Sequence, residues 1–393
     1  MRKVILVLLF ICSSQLSKAQ NPTHVITTAV PFLLVAGDAR SAGMGDNGVA
    51  TTADAFSQQY NPAKYAFSLE RQGFTTSYTP YLTQLVNDIA LGQVTYFNKF
   101  NERSAVGASL RYFSLGEIQL TDINGGEQGI IKPSEMAVDV SYALKLSDRF
   151  AMAVAGRFIS SNLRFQEGSQ DSGGATSYAV DVAAFYQSEE MAFKDFNGRL
   201  RFGMNMQNLG PKINYDLSQT DENSNFLPSN LKIGSAFDFI LDDFNKVSLN
   251  VEFAKLLVPT PQDPKDLNAD NDNNDPNELA ANAAAYNKIG WTEGIFKSFN
   301  DAPGGMSEEF KEITYAIGSE YTYQDSFSFR MGYFHESPAK GARKFYTLGT
   351  GFTYNVVKID LSYLFSASKV NNPLENTLRF SLTFNFGEKY DDF

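Results

Sequence analysis

What most restricts this chain is a period of two. In its last segment Leu378, Phe380, Leu382, Phe384 and Phe386 point to one face, while Thr377, Arg379, Ser381, Thr383 and Asn385 point to the other. Successive side chains of a β-strand leave on opposite sides, so this is a strand with one apolar and one polar face; a helix would smear both sets around its surface. Met136, Val138, Val140, Tyr142 and Leu144 repeat the pattern against Asp139, Ser141 and Lys145, and Leu200, Phe202, Met204 and Met206 repeat it against Arg199, Arg201, Asn205 and Gln207. Phe327 to Tyr333 and Ile359 to Phe365 follow the same rule. The alternation explains how 33 Phe and 19 Tyr coexist with a mean hydropathy of -0.25: apolar residues are dispersed one by one among polar ones.

Such segments predict about fourteen strands, over 71–80, 88–98, 103–117, 134–146, 149–162, 175–188, 198–208, 230–241, 245–257, 311–323, 326–335, 344–355, 357–368 and 375–387. From the second strand to the tenth the connections are short and long in strict turn, counting the moderate 189–197 link as short. The long ones fall at 118–133, 163–174, 209–229 and 258–310. Dyad strands also build soluble sandwiches and lipocalin-like barrels, but those have no reason to put every long loop at one end. An even number of strands with tight turns on one side and long loops on the other describes an antiparallel transmembrane β-barrel. With a single tryptophan, Trp291, any aromatic girdle must consist of Tyr and Phe.

The N-terminus points the same way. Arg2 and Lys3 precede the apolar run Val4 to Cys12, and Ser17-Lys18-Ala19 supplies small residues before a cut at Gln20. This reads as a secretory signal peptide over 1–19, too short to span a bilayer as a helix. A compact N-terminal segment, 20–70, then precedes the barrel of 71–393, with 258–310 as its longest loop, expected on the cell surface.

Chemistry has little to work with. A net charge of -11 gives no attraction for a phosphate backbone, so nucleic acid is excluded as a partner. Two histidines, His24 and His335, and one cysteine, Cys12, leave no basis for a zinc site or a Cys/His nucleophilic pair. Gly43-Met44-Gly45-Asp46-Asn47-Gly48 matches a dinucleotide fingerprint as a string, but antiparallel strands follow it where a βαβ unit is needed, and the glycines read instead as positions of positive φ. The run 263–278 is rich in Asp and Asn, yet Asn271 stands where a calcium loop needs Gly and Asn277 where it needs the bidentate Glu, so it reads as a solvated loop. Neither catalytic residues, nor a metal, nor a cofactor are expected. If the apolar dyads face lipid, then Arg111, Asp139, Lys145, Arg157, Asp181, Arg199, Arg201, Lys232, Asp238, Glu252, Glu320, Arg330, Asp360 and Arg379 face the lumen. Charges of both signs at that density imply mutual pairing and a filled interior.

Val30-Pro31-Phe32-Leu33-Leu34-Val35-Ala36-Gly37-Asp38-Ala39-Arg40-Ser41-Ala42-Gly43-Met44-Gly45, followed by Tyr60-Asn61-Pro62-Ala63-Lys64, resembles the PorV family of the type IX secretion system. The Asn-Pro-Ala piece is shared with the wider FadL-like barrels, whose N-terminal segment folds into the lumen as a hatch. The resemblance implies an outer-membrane barrel without enzymatic activity. Its expected role is to accept cargo bearing a C-terminal signal domain from the translocon barrel, SprA or Sov, and pass it to the attachment complex containing PorU. A FadL-type channel for hydrophobic small molecules is the alternative. On either reading Asp38, Arg40, Asn61 and Pro62 are candidates for holding a plug, expected in the periplasmic half of the lumen. Trp291, Phe296 and Phe299, too apolar for a free tether, are candidates for partner contact on the long loop.

Overall fold

The computed structural model describes residues 24–122, 124–163, 166–167, 170–171, 174–215, 224–265, 275–368, 370, 372–387 and 390. The expected signal peptide, 1–19, and the central part of the acidic run, 266–274, lie outside them. Fourteen long strands carry the fold: β1 Gln72–Pro80, β2 Ile89–Lys99, β3 Ser104–Leu115, β4 Ser134–Ser147, β5 Phe150–Asn162, β6 Ala175–Gln187, β7 Asn197–Leu209, β8 Asn230–Ile240, β9 Asn245–Leu256, β10 Thr314–Tyr323, β11 Phe327–His335, β12 Lys344–Tyr354, β13 Val357–Ser366 and β14 Leu378–Phe386. Each pairs antiparallel with the next, and β1 pairs with β14 from Gln72↔Phe386 to Tyr78↔Phe380, so the sheet closes. Closure leaves no edge, the condition for a sheet to sit in hydrocarbon where no water can satisfy open backbone groups. The predicted strands therefore match the observed ones to within three residues at their starts.

The outer face carries the large apolar members of each dyad. Along β5, Met152, Val154 and Phe158 are exposed while Ala151, Ala153, Ala155 and Ile159 are buried inward. Two aromatic belts flank the apolar band: Tyr78, Tyr112, Tyr178 and Tyr346 toward the long-loop end, and Tyr142, Tyr321, Tyr323, Phe327 and Tyr354 toward the short turns. Amphipathic rings at both rims of a barrel mark the membrane interfaces, here without tryptophan.

The segment before β1 fills the lumen, and it traverses the whole barrel. His24 lies at the long-loop mouth, where its ring nitrogens meet Asp263 and Glu308. The chain then descends through the helical turns Ala39–Ala42 and Ser57–Tyr60 to the 3₁₀ segment Pro62–Phe67. Phe67 packs on Phe185 and under the Lys145 ammonium near the short turns. The expectation of a plug confined to the periplasmic half is thus corrected, because the contacts of residues 24–36 belong to the opposite end. Small wall residues make room for it. A methyl group added at Gly203 would overlap the Val49 carbonyl, and one at Gly332 would overlap the Gly45 amide. Of the three fingerprint-like glycines only Gly45 has a positive φ, 73°, and it donates its N–H to Thr347 Oγ1 at 2.9 Å in a turn against the wall, whereas Gly43 has an ordinary helical φ of -67°.

Candidate functional site

The plug is wired to the wall by side chains that the strand pattern sends inward. Asp38 caps the turn Ala39–Ala42, accepting the Ser41 N–H at 2.8 Å and the Tyr60 hydroxyl at 2.7 Å. One residue on, Arg40 donates from Nε and Nη2 to Glu320 at 3.1 and 2.8 Å and from Nη1 to Asp54 at 2.6 Å, while the Thr52 hydroxyl accepts at 2.6 Å. Glu320 on β10 also accepts from Arg330 on β11 at 2.5 Å, and Arg330 reaches Asp360 on β13 at 2.7 Å. Apart from Thr52 and Asp54, which are half-buried, these groups are buried, where an unpaired charge costs several kcal/mol; a shared network removes that cost and fixes the plug's register at once.

Asn61 and Pro62 act lower down. Asn61 donates to the Val49 and Ala184 carbonyls at 3.0 and 2.9 Å and accepts the Ala63 N–H at 3.1 Å, joining two stretches of the plug to β6. Pro62 opens the 3₁₀ segment, where its missing N–H leaves nothing unsatisfied. Lys64 completes the motif, donating to the Gly48 carbonyl at 2.8 Å and Thr51 Oγ1 at 2.9 Å.

Other anchors were placed by the sequence on the inward or polar faces of strands but not assigned to the plug. Arg111 on β3 donates to the carbonyls of Phe32, Leu33 and Val35 at 2.8 to 3.0 Å, and Glu252 on β9 accepts the N–H groups of Gly48 and Val49 at 2.8 and 2.9 Å. Asn205 and Gln207 on β7 donate to the carbonyls of Tyr60 and Gln59. The signal that would have found them is the small side of the dyads: strands whose inward residues are Ala, Gly and Ser leave space that must be filled by chain, and their few long polar inward residues are its attachment points.

The second feature is the long-loop mouth. Between β9 and β10 the loop folds into helices Pro276–Asn287 and Trp291–Lys297 and the turn Met306–Glu309. Tyr286 seats the first helix, donating its hydroxyl to the Pro259 carbonyl at 2.9 Å and meeting Phe226 edge-on. Gly294 lets the second approach Phe226 and Pro259, since a methyl there would crowd both rings. Below them, Glu309 accepts the N–H groups of Asp301 and Ala302, and Lys255 at the end of β9 pairs with Glu309 and Glu312. Burial raises the Glu308 carboxyl, but hydrogen bonds from Lys340, the Gly304 N–H and His24 outweigh it and hold the group at about 2. Asp301 goes the other way: burial, with Glu309 and Glu312 nearby, pushes it up to about 6 against the Thr260 N–H bond.

The apolar residues of this loop divide. Ile289, Trp291 and Ile295 are half-buried, whereas Phe296 is 80% exposed and Phe299, Met306 and Phe310 are exposed beside it. With Leu279, which is exposed on the first helix, five large apolar side chains of the loop thus stand in solvent at the long-loop end, on a scaffold fastened by buried charges.

The sequence profile of the family described as "Type IX secretion system protein PorV" matches residues 17–263. The chain belongs to the PorV family. The match takes in the whole plug and β1 to β9, ending at Asp263 in the first residues of the long loop. A search of the curated proteins finds no match. Among solved structures, the PorV-family chain is similar to the CymD monoaromatic hydrocarbon channel (12% identity over 90% of this chain and 98% of that one, TM-score 0.47), to the toluene transporter TbuX of Ralstonia pickettii (13%, 90% and 99%, 0.47) and to a Pseudomonas aeruginosa FadL homologue (13%, 92% and 99%, 0.45). Family membership and a closed fourteen-stranded barrel make this PorV-family protein an outer-membrane β-barrel in the context of type IX secretion.

Proposed function

We propose that this barrel is a non-enzymatic carrier of secretion: it accepts cargo bearing the C-terminal signal domain from the translocon barrel and passes it to the cell-surface attachment complex. The observation that supports this reading is the exposed surface of Phe296, Phe299, Met306 and Phe310 on the long loop, at the end opposite the short turns. Exposed aromatic side chains on a preformed scaffold suit a protein interface, because large apolar anchors dominate such contacts at small entropic cost. On this reading the loops face the cell exterior and the plug, held by Asp38, Arg40, Asn61 and Pro62, keeps the barrel sealed while cargo is handled outside it. A channel for hydrophobic molecules would need an apolar path, and the plug-to-wall contacts through Arg40, Arg111, Arg201 and Glu252 are polar and charged.

The test combines gene deletion with a triple substitution. Deletion should trap signal-bearing cargo unprocessed inside the envelope. Changing Trp291, Phe296 and Phe299 together to Ala should weaken co-purification of cargo while leaving the barrel heat-modifiable on gels. Normal secretion by the deletion strain, combined with failure to take up a hydrophobic nutrient, would replace this reading with the channel.

A further inference from the structure

The long loop is fastened by a residue that belongs to neither the loop nor the barrel wall. His24 is nearly enclosed at the mouth, and both of its ring nitrogens meet carboxylates: Nε2 lies 2.9 Å from Asp263 and Nδ1 lies 3.0 Å from Glu308. A neutral imidazole has one N–H and one lone pair, so it can satisfy only one carboxylate and would turn its lone pair on the other; the imidazolium donates to both. The surrounding groups agree. Lys340, from the loop between β11 and β12, donates to the His24 carbonyl at 2.9 Å and pairs with Glu308 at 2.6 Å and Glu312 at 3.0 Å. Lys255 on β9 pairs with Glu309 and Glu312. Four carboxylates, Asp263, Glu308, Glu309 and Glu312, with Asp301 beside the last two, thus face two ammonium groups, and the imbalance favours a third cation. Glu308 and Glu309 lie between Met306 and Phe310, two of the exposed residues of the docking surface.

We propose that the N-terminal segment is a protonation-dependent clasp, in which the His24 imidazolium joins Asp263 to Glu308 and holds the long loop, with its Phe296 to Phe310 surface, in one posture over the mouth. Losing the proton removes one of the two charge-assisted bonds and releases that posture. Because the same segment continues downward as the plug, the clasp links the loop mechanically to the lumen. The inference rests on the reading of that surface as a partner site, whose regulation it names.

Hydrogen–deuterium exchange on the full chain in detergent, corrected for the intrinsic pH dependence of amide exchange, reads it directly. Protection of residues 291–312 should fall about tenfold between pH 5.5 and 8.5, the loss expected for one charge-assisted bond, while β-strand amides stay protected. In His24→Gln protection should be low and in His24→Lys, which keeps a cation, high, each keeping across the pH range only the smaller fall that Asp301 contributes, which Asp301→Asn removes. Unchanged protection of the wild type across the range, or a His24→Gln profile that follows the wild type, overturns the clasp. Cargo capture by the Trp291, Phe296 and Phe299 variant is a separate readout: if capture survives that variant, the docking reading falls while the exchange result stands, and flat exchange with lost capture does the reverse.

Discussion

Arg40 and Glu320 are 280 residues apart in sequence, yet they meet as a fork, with Nε to Oε2 at 3.1 Å and Nη2 to Oε1 at 2.8 Å. The same guanidinium holds Asp54 within the plug, so one side chain carries both the internal fold of the segment and its attachment to β10. A planar cation with five donors in fixed directions can do this; an ammonium cannot.

Replacing Arg40 with Ala should therefore leave Asp54 without its ion-pair partner and Glu320 with Arg330 alone, in a buried site. The expected loss is about 3–5 kcal/mol, read as a lower temperature for the heat-induced gel shift and a higher single-channel conductance. Arg40→Lys should fall between the two. A variant as heat-resistant and as silent in bilayers as the wild type would mean that Arg40 does not hold the plug.

Gly203 and Gly332 are where the plug backbone touches the wall most closely. Gly203→Leu or Gly332→Leu should displace the plug without opening the barrel, because the outer dyads are untouched. The measurement is conductance against heat-modifiability: the first should rise and the second persist. If neither changes, the plug and wall are less tightly fitted than the contacts at Val49 and Gly45 require.

Asp301 sets a pH dependence. Its folded-state pKa of about 6 lies above the ordinary 3.8, so the proton is bound more tightly in the folded loop. The stability it contributes is complete below 3.8 and is lost as pH rises through about 6, above which the carboxylate is a burden. Asp301→Asn should thus stabilise the loop at pH 8 by of the order of 1 kcal/mol, after allowance for partial exposure, and do almost nothing at pH 4. Amide exchange over residues 298–312 measures this; equal effects at the two pH values would contradict it.

The proposed orientation, with the long loops facing the cell exterior, predicts a labelling pattern. On intact cells a membrane-impermeant amine reagent should modify Lys265 and Lys297 on the long loop, while Lys194, in the link between β6 and β7 at the opposite end, should react only after the envelope is opened. The reverse order would invert the barrel.

The strands were legible because lipid and lumen make opposite demands on alternate residues, and that contrast survives in the sequence wherever both faces are occupied. The predicted starts at 311 and 375 came three residues early for a local reason: Phe310–Glu312 is a 3₁₀ turn and 375–377 belong to the approach to β14, though both continue the polarity of the strands that follow. The loop helices were not read. Asp275-Pro276 is a usable helix start and Ala280 to Ala285 a helix-favouring run, but the acidic stretch before them dominated the composition. The course of the plug was least legible, because its partners, such as Arg111 for Phe32 and Glu252 for Gly48, come from strands far along the chain and leave no periodic trace in the segment itself.

The Ala39 N–H finds its acceptor in Ser381 Oγ at 2.8 Å, 342 residues away on the strand that closes the barrel. A residue made before any strand of the barrel thus obtains one of its bonds only from β14. Residues 24–67 are made before the wall that encloses them, so the segment is translated ahead of the strands and secured after them. A nascent barrel lacking β14 would be open along one seam and would hold its interior chain incompletely, so closing the seam and finishing the interior are a single event.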